Sequence, residues 1–359
     1  MNLRIPGPTP LPPQVREALQ GQMINHRGRE FGQMVRAIAE QLKHFFQTEN
    51  DLVILTGSGT GAMEAAIVNT CSSGEKVLAV SIGNFGDRFA AIARAFGLDV
   101  TKLDFPGGHA AEPQAVADAL DRNPDITTVL ITHNETSTGV TNPLADLARV
   151  VKERNKLLVV DGISSVASID LKTDEWGCDV VLSGSQKGWM VPPGLAFASI
   201  SPFAWERHAA ARLPRVYWDF AEHKKYLDRG ETPWTPAVSI FYALRVALDM
   251  MEQEGREEIF ARHERVAQRC RDRAVAAGMS LFADQRYASN TVTAFYTPEG
   301  IDSRSIATEL EDEFDTVVAL GQAQWTNTSL RIGHLGWVNE SDIDRTMDAL
   351  EKVLSRTQA

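Results

Sequence analysis

Cysteine and long apolar runs are scarce in this sequence. Its 359 residues include only three cysteines, Cys71, Cys178 and Cys270, and no two of them have a CxxC spacing. This usage argues against a disulfide framework or a cysteine-rich zinc site and is typical of a reducing compartment. No apolar stretch approaches the roughly 20 residues that cross a bilayer, and the amino terminus carries no apolar signal-peptide core. We therefore expect a cytoplasmic protein with no membrane partner.

Basic residues are also fewer than acidic residues. Lysine and arginine number 36 against 47 acidic residues, which gives a net charge of −11. A surface of that sign disfavours nucleic acid or an anionic membrane as the main partner. The sequence contains no HExxH motif, and His133 and Glu135 lack the spacing of a metal site, so we predict no bound metal ion.

Short apolar runs alternate with helical patterns over most of the chain. Strands are predicted at 52–56, 76–82, 100–103, 127–132, 157–161, 179–183 and 195–200. This alternation predicts an α/β fold with a mostly parallel, seven-stranded sheet covered by helices on both faces. The last run follows its predecessor after a short Pro-Pro-Gly turn, so that strand is expected to be antiparallel.

The pattern also divides the chain into three parts. These are an amino-terminal arm at 1–20, a large domain at 21–254 and a small carboxyl-terminal α+β domain at 255–359. The arm is rich in proline, which predicts an extended segment. Helical periodicity is predicted over 14–47 and from 237 to 277, whereas 201–235 is expected to be irregular.

One lysine lies between two of the apolar runs. Lys187 is flanked by small residues in the segment 183–194, which reads SGSQKGWMVPPG. Burial disfavours the charged ammonium, lowers its pKa and makes the amine a better nucleophile. Such a lysine can form a Schiff base with an aldehyde cofactor. Whether it does depends on neighbouring residues that supply the rest of a pyridoxal phosphate site.

An acid and an aromatic residue follow two other strands. Asp161 ends the run 157–161, at the strand end where ligands bind in open α/β sheets. A buried carboxylate there needs a partner such as a protonated pyridine nitrogen, although a helix cap or a metal ligand is an alternative. Only one predicted strand separates Asp161 from Lys187, which places both at the same sheet edge. Phe85 follows the run 76–82 and could stack on a flat ring, or simply pack in the core.

A glycine-rich turn joins the first strand to a helix. The segment 56–64 reads TGSGTGAME, and its helix-start N–H groups with the hydroxyls of Ser58 and Thr60 predict a phosphate cradle. The same letters match the dinucleotide pattern GxGxxA, which requires an acid at the end of the next strand. That strand ends at 81–84 with SIGN and has no acid. A turn needed only for tight packing is the other alternative.

Two further segments carry polar groups at strand positions. The loop 133–139, HNETSTG, follows the run 127–132, where its side chains could contact a ligand or simply be solvated. Arg331 lies inside the apolar run 329–332 and needs an anion if it is buried. Its planar guanidinium matches a carboxylate through two parallel hydrogen bonds, with an internal salt bridge as the alternative.

Taken together, these segments resemble the fold-type I pyridoxal-phosphate enzymes of aminotransferase class V. Within that class the chain is similar to the alanine–glyoxylate/serine–pyruvate (serine–glyoxylate) aminotransferases. The resemblance extends from PGPTP at 6–10 to LRIG at 330–333, and the lysine segment followed by Pro-Pro-Gly is its most specific part. It implies a fold-type I pyridoxal-phosphate-dependent transferase with pyridoxal 5′-phosphate as cofactor.

The resemblance also implies roles for individual residues. Lys187 carries the Schiff base, Asp161 pairs with the pyridine nitrogen, and Phe85 stacks on the ring where relatives often have tryptophan. The remaining cofactor contacts are expected at Ser58, Gly59, Thr60, Thr136 and Gln186. Arg331 and Thr136 are expected to bind the substrate, with Arg331 holding its carboxylate. A homodimer with a shared active site is implied, in which the segment 231–236 of a neighbouring subunit completes the phosphate site through Thr232 or Thr235.

The activity implied is transfer of an amino group from a small amino acid, alanine or serine, to a 2-oxo acid, glyoxylate or pyruvate. Ureidoglycine–glyoxylate and aspartate aminotransferases are alternatives that differ in the amino donor. A cysteine desulfurase would need a nucleophilic cysteine on a loop of the small domain, whereas Cys270 lies in a helical pattern. An NAD-dependent dehydrogenase is suggested only by the turn at Gly57.

Overall fold

The computed structural model of the chain describes residues 1–357, with side chains described as far as residue 356. The helices in this part are α1 (Pro13–Ala18), α2 (Arg29–Phe46), α3 (Gly59–Thr70), α4 (Asn84–Ala95), α5 (Pro113–Arg122), α6 (Leu144–Lys152), α7 (Pro202–Ala210), α8 (Phe220–Asp228), α9 (Val238–Glu254), α10 (Arg256–Ala276), α11 (Ser303–Phe314) and α12 (Glu340–Thr357). The strands are β1 (Asn2–Arg4), β2 (Asp51–Gly57), β3 (Lys76–Ser81), β4 (Asp99–Asp104), β5 (Thr128–Thr132), β6 (Asn134–Glu135), β7 (Val140–Thr141), β8 (Leu157–Asp161), β9 (Val180–Gly184), β10 (Gly194–Ile200), β11 (Ser280–Leu281), β12 (Val292–Tyr296), β13 (Thr316–Leu320) and β14 (Ser329–Gly333).

The seven predicted strands form one sheet in the order β2-β10-β9-β8-β5-β3-β4. The pairs β3–β4, β3–β5, β5–β8 and β8–β9 are parallel, whereas β10 runs antiparallel to both of its neighbours. The prediction of a mostly parallel seven-stranded sheet with an antiparallel last strand is therefore confirmed. The carboxyl ends of β5, β8 and β9 meet at one edge of this sheet.

Two apolar layers cover the faces of the sheet. Alternate residues of each strand point to opposite faces, so Leu52 and Ile54 join one buried cluster while Val53 and Leu55 join the other. The first cluster includes α2 and α9, and the second includes α3 and α4. Because both faces are covered, the strands carry nearly continuous apolar runs, which made them visible in the sequence.

Helices differ from the sequence prediction in three places. The pattern over 14–47 is divided into α1 and α2, because the intervening segment 19–28 contains two glycines and is largely exposed. The long helical stretch ends and restarts at Gly255, whose φ of +87° favours glycine. The segment 201–235 is not irregular throughout, since it contains α7 and α8. Ser201, which precedes a proline, caps α7, and Asp219 caps α8. Both are helix-start signals that can be recognised in the sequence.

The second sheet has the order β1-β13-β14-β12-β11 and is covered by a separate apolar cluster from α10, α11 and α12. Its edge strand β1 comes from the amino terminus and pairs in parallel with β13. Asn2 is held there by a hydrogen bond to Thr346 Oγ1 (2.8 Å). The arm is therefore anchored in the carboxyl-terminal sheet before it crosses to the large one. No helix within residues 1–357 is both long and apolar enough to span a membrane.

Candidate functional site

Strand register brings the predicted acid and the predicted lysine to one place. Asp161 is the last residue of β8 and lies opposite Thr132 of β5 and Leu182 of β9. Lys187 follows the end of β9 at Gly184 by three positions. The expectation that Asp161 and Lys187 share a sheet edge is confirmed by this register.

Lys187 has an environment that favours the neutral amine. Its side chain is half-buried, and burial lowers the pKa of the ammonium to about 8, an effect that Asp161 partly opposes. The positive charges of Arg331 and Arg88 lower this pKa further. A lysine with a pKa near neutrality can act as nucleophile and proton carrier at physiological pH.

The amino-terminal arm passes directly over Lys187, which the sequence did not indicate. The amine Nζ donates a hydrogen bond to the carbonyl of Pro6. Gly7 has φ +123°, which strains any other residue, and a Cβ there would lie 2.8 Å from Nζ of Lys187, so a larger residue would displace the amine. Thr9 fixes the far end of the crossing, because its N–H donates to the carbonyl of Gln186 (3.1 Å) and its hydroxyl to that of Lys187 (3.2 Å).

The loop that carries Lys187 is held by buried contacts on both sides. Trp189 is fully buried, donates from Nε1 to Ser183 Oγ (2.8 Å) and packs on Phe46 and Phe197. Ser185 Oγ donates to the carbonyl of Pro192 (2.7 Å), which closes the turn into β10. These contacts fix the backbone of the loop that contains Lys187.

Asp161 is a buried carboxylate in need of a cation. Oδ1 accepts the N–H of Ile163 (3.0 Å) and Oδ2 the hydroxyl of Thr132 (3.4 Å), and only 4% of the residue is exposed. Burial raises the pKa of this carboxyl to about 6, with the charge of Glu135 acting in the same direction. Within residues 1–356 no ion pair neutralises Asp161, so a protonated ring nitrogen would stabilise its ionised form.

The glycine turn leaves hydrogen-bonding groups available for an anion. Helix α3 begins at Gly59, and the exposed Ser58 at its N-cap makes no capping bond with its side chain. A Cβ on Gly59 would lie 2.5 Å from Ile163, so the turn packs against the residue that binds Asp161. Gln186 has a buried side-chain oxygen without a partner in the described chain. Its amide is thus free to orient its NH2 group toward a phosphate.

Phe85 lies at the first turn of α4, with a half-buried ring. The guanidinium of Arg88, one turn further along, is 4.7 Å from the centre of that ring. The backbone N–H of Phe85 donates to Glu135 Oε2 (2.9 Å). Sequence reasoning placed Glu135 only within the polar loop 133–139 and gave it no role of its own, although its position three residues after Thr132 placed it at the same edge.

Arg331 lies on β14 and is aimed at the large domain. Nη1 donates to the carbonyl of Thr136 (3.0 Å) and Nε to that of Leu320 (2.9 Å). Only 7% of the residue is exposed, and burial lowers its pKa to about 10. No carboxylate of residues 1–356 forms an ion pair with Arg331. The alternative of an internal salt bridge is therefore not observed among these residues. A buried, unpaired guanidinium is suited to bind a carboxylate.

The two predicted threonines of the segment 231–236 lie in different environments. Thr232 is buried, and its hydroxyl donates to the carbonyl of Trp234 within the same loop (2.7 Å). Thr235 is exposed. Trp234 stacks on Tyr217, whose hydroxyl donates to the carbonyl of Thr56 (3.3 Å) beside the glycine turn. The segment therefore borders the predicted phosphate cradle from its outer side.

All three cysteines are buried. Burial raises the pKa of each thiol, to about 11 for Cys71. Cys270 belongs to α10 rather than to a loop. Since the thiolate is the reactive form, none of the three has the environment of a nucleophile.

Comparison with known proteins gives a consistent result. A family model described as "Aminotransferase class-V" matches residues 2–338. Among relatives, a protein named soluble hydrogenase small subunit from Synechococcus sp. is 42% identical and aligns over 98% of this chain and 92% of its own length. L-aspartate–glyoxylate aminotransferase of Paracoccus denitrificans is 38% identical over 94% and 87%. Serine–glyoxylate aminotransferase of Hyphomicrobium methylovorum is 37% identical over 98% and 89%.

A solved structure extends the likeness to three dimensions. The crystal structure of alanine–glyoxylate aminotransferase from Nostoc sp. has a TM-score of 0.95 and 30% identity, and the match covers 98% of this chain and 94% of that one. The likeness therefore extends over nearly the whole chain.

Removal of the buried charge of Asp161 should stabilise the ligand-free protein in a pH-dependent way. The folded-state pKa of about 6 lies above the unfolded value near 3.8, so the folded carboxyl holds its proton more tightly. Stability is therefore lost as the pH rises from 4 to 6, on the order of 3 kcal/mol in total. Asp161→Asn should raise the free energy of unfolding by about that amount at pH 8 and by little at pH 4. Urea denaturation at both pH values measures this, with exposed Asp272→Asn as control. A gain that is equal at both pH values contradicts the burial argument.

Proposed function

The chain belongs to the class V aminotransferases, and on that premise we propose that it transfers the amino group of alanine or serine to glyoxylate or pyruvate. The family depends on pyridoxal 5′-phosphate, and the fold is the fold-type I transferase fold that the sequence resemblance implied. The donor is inferred from relatives named for serine–glyoxylate and alanine–glyoxylate transfer.

One observation carries the proposal. A half-buried lysine with a pKa near 8 interacts electrostatically with a buried acid that has no ion pair, Asp161, and with a buried arginine that has none, Arg331. Each of the three lacks the partner that an amino acid and a pyridoxal ring together would provide. The residues of the site thus fit the cofactor.

Each side chain has a definite task in this reaction. When bound, pyridoxal phosphate supplies the electron sink for the bond that breaks at the substrate Cα. Asp161 would hold the proton on the ring nitrogen, because a cation that faces a buried carboxylate stabilises its ionised form. Arg331 binds the substrate carboxylate and orients the Cα–H bond. Lys187 Nζ would take the proton from the substrate Cα as general base and deliver it to a carbon of the cofactor as general acid. The carbonyl of Pro6 is placed to accept a hydrogen bond from the free amine.

Lys187 provides the direct test of the activity. Lys187→Ala should abolish turnover of alanine with glyoxylate, by at least about a thousandfold, because one side chain supplies both the nucleophile and the proton carrier. The wild-type holoenzyme should be yellow and should bleach on reduction with borohydride. Lys172→Ala, at an exposed lysine paired with Glu175, should leave both properties unchanged. Retained transamination in Lys187→Ala contradicts the assignment.

The shared active site of a homodimer also forms part of the proposal. The exposed Thr235, rather than the internally bonded Thr232, is the residue available to a neighbouring subunit. Exposed apolar surface at Val216 and Tyr217, on the same side of the glycine turn, supports a partner chain there.

Substitution of the two threonines separates their roles. Thr235→Val should weaken pyridoxal phosphate binding about tenfold, since one phosphate hydrogen bond is lost, without lowering the melting temperature of the cofactor-free protein. Thr232→Val should instead lower that melting temperature, because it leaves the carbonyl of Trp234 unpaired. Cofactor titration and thermal unfolding of each variant measure this. Equal cofactor affinities in wild type and Thr235→Val contradict the proposed subunit contact.

Aspartate as donor is a second candidate, and one observation favours it. The guanidinium of Arg88 lies over the ring of Phe85, and its positive charge lowers the pKa of Lys187. Arg88 forms no ion pair with the residues described up to 356. A second cation that, like Arg331, acts on Lys187 suits a substrate with a second carboxylate. A relative named L-aspartate–glyoxylate aminotransferase is 38% identical.

A donor panel distinguishes the two candidates. Arg331→Ala should raise KM for alanine, serine and aspartate alike, by roughly a hundredfold, because every donor carries the α-carboxylate. Arg88→Met should leave KM for alanine and serine within twofold of wild type. If aspartate is the donor, Arg88→Met raises KM for aspartate about tenfold or more. An unchanged KM for all donors in Arg331→Ala contradicts the carboxylate clamp.

A further inference from the structure

Glu135 is a buried carboxylate at the site that the steps above do not use. None of its surface is exposed, and it belongs to β6, directly after β5. It forms no ion pair with any side chain of residues 1–356. A charge in such surroundings persists only when hydrogen-bond donors replace the lost water.

Four donors surround the carboxylate of Glu135. Oε2 accepts the backbone N–H groups of Phe85 (2.9 Å) and Gly86 (3.2 Å). Oε1 accepts the N–H of Ser137 (3.0 Å) and its hydroxyl (2.5 Å). The backbone of Gly83 closes the remaining side, since a Cβ there would lie 2.7 Å from Cγ of Glu135. The carboxylate is therefore fixed in one orientation.

Two of these donors belong to the first turn of α4. The N-cap of that helix is Gly83, which has no side chain to satisfy the free N–H groups. Glu135, some 50 positions later in the chain, supplies the missing acceptor and places a negative charge at the positive end of the helix. The position of Phe85 thus depends on a side chain from another loop.

The same loop reaches the substrate side of the site. Thr136, the next residue, offers its carbonyl to Nη1 of Arg331 (3.0 Å). The segment 135–136 therefore contacts Phe85 through the side chain of Glu135 and Arg331 through the backbone of Thr136.

We propose that Glu135 is a positioning residue that holds Phe85 against the face of the pyridoxal ring, by capping the first turn of α4. The inference rests on the proposed function, because it assumes that Phe85 stacks on the cofactor. Glutamine has nearly the same shape but cannot replace the carboxylate. Whichever way its amide turns, the NH2 group meets either the N–H groups of Phe85 and Gly86 or the N–H of Ser137, and two donors then face each other.

A double-mutant cycle between Glu135 and Phe85 tests the coupling in the holoenzyme. Glu135→Gln should weaken pyridoxal phosphate binding and lower kcat by about tenfold each. In the Phe85→Ala background the same substitution should change either quantity less than twofold, since the group it positions is gone. KM for alanine and glyoxylate should stay within twofold throughout, because Arg331 is retained. Multiplicative effects of the two substitutions, or no effect of Glu135→Gln, overturn the proposal.

Hydrogen exchange of the cofactor-free protein distinguishes a local effect of the substitution from a general folding defect. In cofactor-free Glu135→Gln, hydrogen exchange at the amides of Phe85 and Gly86 should be at least tenfold faster, with that of Val129 in β5 unchanged. Faster exchange at all three amides, or at none, overturns the local role.

Ser137→Ala serves if Glu135→Gln does not fold. It removes one of the four donors to Glu135, together with the acceptor of the Asn84 N–H (3.0 Å) at the start of α4. It should weaken cofactor binding less and show the same lack of additivity with Phe85→Ala, whereas additivity overturns the proposal here too. A wild-type protein that binds no pyridoxal phosphate would contradict the proposed function instead, and the exchange result at α4 would still report on Glu135.

Discussion

The parallel pairing of β5, β8 and β9 is the constraint on which the site depends. Their register places Thr132, Asp161 and the end of β9 at one sheet edge, so the loops that follow must meet there. Apolar layers on both faces keep this register, because a slip by one residue would turn every buried side chain to the opposite face. Asp161 and Lys187 are adjacent for this reason, although 25 residues lie between them in the sequence.

Burial then gives these polar groups their chemistry. Removal from water raises the pKa of Asp161 and lowers those of Lys187 and Arg331, so each charge is held at a cost in stability. A ring nitrogen and a substrate carboxylate would offset that cost for Asp161 and Arg331. The site is thus less favourable for the empty protein than for the loaded one, which is a common arrangement at functional sites.

The sequence indicated the parts of this arrangement that depend on local pattern. Seven apolar runs gave the large sheet, and the residues at their ends gave Asp161, Lys187 and Phe85. The sequence pattern does not predict contacts between distant segments. These contacts are the arm at Pro6 over Lys187, Glu135 at the start of α4, and β1 in the carboxyl-terminal sheet. A three-residue strand or a backbone carbonyl leaves almost no periodic signal, because its partner is chosen by tertiary packing.

Two local signals mark helices within the segment 201–235. The proline after Ser201 and the aspartate at position 219 mark helix starts within a segment read as irregular. The role of Glu135 leaves no local signal in the sequence, because Phe85 and Gly86, whose N–H groups it accepts, lie about 50 residues earlier.

The central claim is that Lys187 alone carries the pyridoxal cofactor. Borohydride reduction of the holoenzyme, followed by proteolysis and peptide mass spectrometry, identifies the modified lysine directly. One pyridoxyl group is expected, on the peptide that contains SGSQKGWMVPPG at 183–194. A pyridoxyl group on any other lysine, or none after reduction of a cofactor-saturated sample, would contradict it.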